Sequence, residues 1–323
     1  MKHLVVGGEG YIGQKLVSDL ININKDAVIS FDCRIYKQKK NSNIYNKKLY
    51  RLINDKMSNF KKYSKILSSI DSLIILGGLV GDPITKKYSK VSKKINEDDI
   101  MNIMKISSKY KVPKIIFIST CSNYGLVNET EFATEKHRLK PLSLYAKSKV
   151  KCEKYLFKLK FNTPVILRFA TAFGLSDRMR FDLTVNEFTR DLYYKKKLDI
   201  YDQKSWRPYC HVNDFSRIIR KVLIAEKKKV AYQIFNVGNN RNNCTKKNLV
   251  DKIVRILKYK NNRINYLNKG FDRRNYKVDF SKIEKVLKIK TKFDINYGIK
   301  EIVSCFKKNK NYFKNKKLGN YKI

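Results

Sequence analysis

Negative charge is what this chain has least of. Its 323 residues carry 28 Asp and Glu against 72 Lys and Arg, a formal net charge of +44. Such an imbalance ordinarily points to nucleic acid or an anionic membrane. Here the cations are mostly Lys, spread along the whole chain and accompanied by many Asn, Ile and Tyr. All four residues have AT-rich codons, so genome composition is a sufficient cause. Histidine is also scarce, at three residues, and the six cysteines (Cys33, Cys121, Cys152, Cys210, Cys244 and Cys305) form no CxxC pair. That argues against a metal site, and scattered free thiols suit a reducing compartment. Long apolar runs are missing too. The greasiest stretch, Ser72 to Gly81, is interrupted by glycines and falls well short of the roughly 18 residues of a membrane span. Near the N-terminus, Glu9 and four glycines stand where a secretory leader needs an unbroken apolar core. These absences predict a cytoplasmic protein with no membrane span and no specific nucleic-acid partner.

What is present alternates. Short apolar runs at 2–7, 27–32, 49–55, 71–78, 113–120 and 163–170 read as strands. Segments with apolar residues at helical spacing separate most of them, including those beginning at Tyr11, Lys61, Glu97 and Ser143. Ser143 is placed to cap the last of these. Strands so uniformly apolar are buried on both faces, which predicts a parallel sheet with helices on both sides. The fold class is therefore α/β, a Rossmann doubly wound sheet. Beyond Gly174 the pattern becomes more helical and irregular. We assign 1–174 to the sheet domain, with 207–237 returning to it. Segments 175–206 and 238–306 form a smaller, mostly C-terminal substrate-binding lobe. A solvated basic tail is expected over 307–323.

Two patterns carry chemistry. The first is "GGEGYIG", between strand 1 and its helix, where Gly7, Gly10 and Gly13 are spaced G-x-x-G-x-x-G. Glycines there permit a tight turn and bring backbone N–H groups to a pyrophosphate at the helix N-terminus. Asp32, ending strand 2, is placed to bond the adenosine ribose hydroxyls and favours NAD over NADP. The competing reading of Asp32 is a strand-end turn residue. The second pattern is Tyr145 and Lys149, four apart and hence on one helix face. A free phenol titrates near ~10. A neighbouring ammonium would favour the phenolate and make Tyr145 a usable base. In so Lys-rich a chain, chance is the alternative.

Together the glycine motif, Asp32, "STCSNYG" after strand 5 and Tyr-x-x-x-Lys on the next helix resemble the extended short-chain dehydrogenase/reductases. Within these the chain is similar to the NAD-dependent nucleotide-sugar epimerase/dehydratase family, and "LRFATAFG", "WRPYCHVNDF" and "FNVGN" extend the resemblance to roughly Phe306. The resemblance implies Tyr145 as catalytic base, Lys149 as its partner and ribose ligand, and Thr120 as the catalytic hydroxyl. It implies NAD contacts from Gly7, Gly10, Tyr11, Ile12, Gly13, Asp32, Asp55, Leu76, Gly77, Gly78, Asn96 and Ser119, besides Tyr145 and Lys149. On the substrate side it implies Thr171, Asp182, Leu183, Arg207 and one of Arg273 or Arg274, with Arg274 preferred. A homodimer through the helices carrying Asn96 and Tyr145 is a family habit.

One departure matters. The family's dehydratases follow the catalytic Thr with Asp and Glu, and this chain has Cys121 and Ser122. A thiol near ~8.5 is a poor general acid, and a serine is none. Sugar 4,6-dehydration is therefore disfavoured. The expectation is an epimerase acting on a nucleotide sugar, with a keto-sugar reductase or dehydrogenase as the alternative. A reading of another class is a non-catalytic NAD-binding protein that contacts RNA or an anionic membrane. Cys121 reads as a packed thiol, His211 as structural, and Arg178 and Arg180 equally as site residues or a solvated basic loop.

Overall fold

A computed structural model of the chain describes residues 1–36, 48–258, 263–267, 274–314 and 317–322. In chain order the described strands are β1 (Lys2–Val6), β2 (Ala27–Phe31), β3 (Tyr50–Ile53), β4 (Ser72–Ile75), β5 (Lys114–Thr120), β6 (Thr163–Phe169), β7 (Thr171–Phe173), β8 (Leu198–Tyr201), β9 (Trp206–His211), β10 (Gln233–Val237), β11 (Asn243–Thr245) and β12 (Ile264–Leu267). Seven of them make one sheet in the order β10-β6-β5-β4-β1-β2-β3, every neighbouring pair parallel. This is the doubly wound parallel sheet that the apolar runs predict.

Side chains alternate across the pleat. Val5, Ile74, Ile116 and Val165 face one layer, with helix α1 (Tyr11–Asn22) and the Val212–Ile224 helix. Leu4, Val6, Leu73, Ile75, Ile115 and Phe117 face the other, with the Met57–Ser69, Ile100–Lys109 and Leu144–Lys158 helices. The chain winds outward in both directions from the adjacent strands β1 and β4. Their carboxyl ends therefore flank the crevice where such sheets bind ligands.

Several local expectations are corrected. The segment expected to be helical from Lys61 is a 3₁₀ helix that starts at Met57. The acids Glu97 and Asp99 lie in a π-helical turn, Lys94–Asp99, ahead of the Ile100–Lys109 helix. Two short helices, Asp82–Lys87 and Ser89–Lys93, fill a stretch that offers no helical periodicity. Of the segment 207–237, the Val212–Ile224 helix packs on α1, with Ser216 Oγ donating to Asp19 Oδ2 at 2.7 Å, and β10 extends the large sheet. β9 instead joins a small sheet, β11-β9-β7.

The tail also departs from expectation. The Ile295–Lys308 helix buries Phe306 completely, and Phe313 packs on Phe306 and Phe181. Further on, Leu318 O accepts from Phe181 N at 2.7 Å and Asn320 is 8% exposed. Aromatic side chains spaced along a basic segment dock it on the fold despite its charge.

Candidate active site

A cleft of about 1650 Å³ opens at the carboxyl ends of β1, β4 and β5. Gly7, Gly10, Tyr11, Ile12 and Gly13 line one wall. Gly7 has φ +84°, and an added Cβ there would fall 2.5 Å from Gly77 backbone, so only glycine lets the two loops meet. Gly10 caps α1 without any side-chain bond, which leaves the first N–H groups of the helix facing the cleft. Asp32 lines the same wall, and its carboxylate accepts from Glu9 N at 3.1 Å and Arg34 N at 2.8 Å. It is thus both a turn residue and a cleft residue. Burial pushes its carboxyl above the ordinary range against these bonds.

Leu76, Gly77 and Gly78 also line the cleft. Two residues expected beside them do not. Asp55 accepts from Lys56 N, Asn59 Nδ2 and Tyr63 Oη at 2.7–2.9 Å and so holds the start of the 3₁₀ helix, while Lys56, Met57 and Ser58 take the lining position. Asn96 is fully buried and clamps Leu79, accepting from its N–H at 2.8 Å and donating to its carbonyl at 2.9 Å. Its role is to shape the loop that carries Gly77 and Gly78.

Thr120, Tyr145 and Lys149 converge on the cleft floor. Ser143 Oγ accepts from Ala146 N at 3.2 Å, the predicted N-cap, and starts the helix in the register that turns Tyr145 and Lys149 toward β5. Thr120 ends β5, and its hydroxyl bonds Ser122 Oγ at 3.0 Å. Lys149 is almost wholly buried, donates to Ile118 O at 2.9 Å, and sits 5.7 Å from the centroid of the Tyr145 ring. Here the expected tuning is corrected. Burial, followed by the Asp82 carboxylate, raises the Tyr145 phenol well above its ordinary value, and the opposing cation is Arg180 rather than Lys149. Burial in turn lowers the Lys149 ammonium to about 8. The ammonium meets a carbonyl and the ring faces of Phe117 and Tyr145.

Thr171, Asp182, Leu183, Arg207 and Arg274 line the opposite wall, together with Arg178 and Arg180. These last two are 6% and 7% exposed, so the solvated-loop reading is overturned. Arg180 pairs with Asp182 at 2.5 Å and Arg274 with Asp82 at 2.7 Å. Arg207 donates to Trp206 O at 2.7 Å and also to Arg274 O. Arg273 lies outside the described residues. Cys121 packs into the core with Sγ 3.2 Å from Arg168 O, its thiol raised by burial. His211 is buried against Glu301 at 3.0 Å, a structural pairing.

Residues 3–238 match the family described as NAD dependent epimerase/dehydratase. The chain belongs to that family. Among its relatives, an uncharacterised protein of Methanocaldococcus jannaschii is 27% identical over 96% of this chain and 97% of its own length. A UDP-glucuronate 4-epimerase of Thermodesulfobacterium geofontis is 26% identical over 95% and 96%. The fold matches that of a Bacillus cereus UDP-glucuronic acid 4-epimerase solved with UDP-glucuronic acid and NAD, with TM-score 0.84 at 22% identity, over 96% of this chain and 100% of that one.

As a member of the NAD dependent epimerase/dehydratase family, the protein is an NAD-dependent enzyme. The cleft fits that cofactor. The uncapped α1 terminus faces it, and a Cβ at Gly10 would meet only Gly7 O, at 3.3 Å, leaving room above the turn. Gly7, Gly10, Tyr11, Ile12 and Gly13 would hold the pyrophosphate, and Asp32 the adenosine ribose.

Beneath the floor lies a network that the motif reading missed. Glu153, one helical turn past Lys149, accepts from Ser119 Oγ at 2.5 Å, Asn123 Nδ2 at 2.8 Å and Arg168 Nη2 at 2.6 Å. Arg168 also donates to Tyr124 Oη at 3.1 Å, which donates to Asn236 Oδ1 at 2.6 Å. The Ser119 hydroxyl is therefore turned into the network while the residue lines the cleft. The sequence held a signal, because Arg168 interrupts the otherwise apolar strand "TPVILRFA" and a charge so placed needs a buried partner.

Proposed function

We propose that the protein is an epimerase of nucleotide sugars, with Tyr145, Thr120 and Lys149 acting on one sugar hydroxyl. The observation that carries this is the turn after β5. Thr120 and Ser122 open on the cleft while Cys121 is packed away, so that turn contributes no carboxyl acid. The other cleft acids nearest the floor are engaged, Asp82 by Arg274 and Asp182 by Arg180. Such a set suits removal and return of a hydrogen at carbon better than loss of water, which needs a poised acid.

When bound, NAD supplies acceptance and return of a hydride, and its oxidised ring brings a positive charge into the cleft. Tyr145 Oη takes the proton of the reacting hydroxyl and returns it. Thr120 Oγ1 bonds the same sugar oxygen and fixes its position. Lys149 stays anchored on Ile118 O beneath the ring and offers its remaining N–H donors to a ribose hydroxyl. Arg180 is the cation that favours the phenolate and assists the deprotonation, against burial and the Asp82 charge. Arg207 and Arg274 would bind the substrate diphosphate as forked donors.

The test is product analysis by NMR and mass spectrometry over a panel of nucleotide hexoses and hexuronic acids. An inverted ring carbon with no net redox change is expected. A 4-keto-6-deoxy product in quantity would overturn the reading and point to Asp82 as an acid.

A further inference from the structure

The cations of the substrate wall differ in how far they are committed. Arg180 and Arg274 face carboxylates, and Arg207 faces backbone carbonyls. Arg178 does not. It is 6% exposed, yet among the described residues no carboxylate lies within ion-pair distance of it. Its hydrogen bond runs from Nη2 to the neutral amide oxygen of Asn320, at 2.5 Å. Its guanidinium lies over the Tyr36 ring, 4.4 Å from the centroid. Burial, then the neighbouring Arg180 charge, lowers its pKa to about 10. Tyr36 Oη is itself buried without a hydrogen-bond partner among the described residues. A cation and a hydroxyl left in this condition mark the place of an absent anion, because a buried charge with no counter-charge is costly.

The position says which anion. The loop carrying Arg178 is pinned to the start of α1, where Ser176 Oγ donates to Tyr11 O at 2.7 Å and Tyr11 Oη donates to Gly174 O at 2.5 Å. Arg178 and Asp32 lie within electrostatic range of each other. Its surroundings are thus the glycine turn and the end of β2. The far side is held by Asn320, whose Nδ2 donates to Val80 O at 2.8 Å while its Oδ1 receives Arg178.

We propose that Arg178 is the cation that neutralises the diphosphate of the bound dinucleotide, with Tyr36 as a second donor and Asn320 as the residue that positions it. The inference rests on reading the cleft as an NAD site. A helix N-terminus offers about half a charge to a diphosphate carrying two. A forked guanidinium from the facing lobe supplies a full one.

The test is calorimetry of ADP, adenosine and UDP with the full chain. Arg178→Met is expected to weaken ADP by about 30-fold, the size of a lost charge-assisted hydrogen bond, and to leave adenosine within about twofold, since adenosine lacks the phosphates. Asn320→Ala should weaken ADP several-fold in the same pattern, and Arg178→Lys, which keeps charge and loses the fork, should fall between wild type and Arg178→Met. Arg178→Lys also carries the test if the methionine variant melts early. Unchanged ADP affinity, or an equal loss for adenosine, would overturn the proposal. So would a loss confined to UDP, which would move Arg178 to the substrate's diphosphate. Wild-type protein that bound neither ADP nor NAD would instead sink the underlying reading of the cleft.

Discussion

On the cofactor side of the cleft, the groups facing the ligand are largely backbone. Gly7, Gly10, Gly77 and Gly78 stand at the ends of β1 and β4, and their placement follows from strand pairing and steric closeness. On the facing side they are charged side chains on loops, Arg178, Arg180, Asp182, Arg207 and Arg274, held by bonds to one another and to the Leu318–Asn320 segment. The second wall is an arrangement of charged side chains, with Arg180 and Arg274 in ion pairs. Strand ends shape the first wall through backbone, and loops shape the second through side chains.

Tyr145 stands where the walls meet, so its loss should have the largest effect. Tyr145→Phe removes one hydroxyl and is expected to lower turnover at least about 1000-fold, roughly 4 kcal/mol of barrier, with cofactor affinity and melting temperature preserved. Lys149→Met should lower both turnover and NAD affinity. Lys147, two residues away and exposed, should tolerate Met with little change. Steady-state kinetics on the three variants would break the comparison if Lys147→Met and Lys149→Met behaved alike.

The floor beneath both walls gives the next effect. Arg168 and Glu153 are a buried pair with side chains 4% and 5% exposed. Arg168→Met leaves Glu153 without its cation, and denaturant unfolding should show a loss of about 3–5 kcal/mol. A loss below about 1 kcal/mol, the level of an exposed pair, would mean the network does not brace the cleft.

The smallest effect belongs to the substrate wall alone. Burial, reinforced by the Asp191 charge, raises the Glu187 carboxyl from its ordinary 4.5 to about 7. Between those values the folded protein holds a proton that the unfolded chain has released, so stability falls as pH rises from about 4.5 to about 7. Glu187→Gln should flatten that part of the melting-temperature profile and stabilise the protein at pH values above it. An unaltered slope would place the titration elsewhere.

The same contrast explains what could be read in advance. Strands β1, β2, β4, β5 and β6 lie within a few residues of the predicted runs because apolar continuity and a buried parallel strand are one physical fact. That the glycine turn, Asp32, Thr120, Tyr145 and Lys149 line one cleft was legible for a similar reason, since spacing along a regular element determines direction. Asp55 and Asn96 were not, because sequence position does not say which way a polar side chain turns. Each instead satisfies backbone nearby. The upward shift of the phenol was not legible because it depends on burial and then on Asp82 and Arg180, which come from other parts of the chain. Arg178 read equally as a site residue or a solvated loop because the residue that covers it, Asn320, is 142 positions away.

The Asn320 amide also touches Val80 across 240 positions. Contacts of such span close the longest loops, and that entropy is recovered only after the intervening chain is in place. The parallel sheet can therefore be complete while the segment at Asn320 is still undocked. On refolding, far-UV ellipticity should return before dinucleotide affinity does, and under mild denaturant the order should reverse. Binding competence is then expected to arrive late, after the fold that makes it possible.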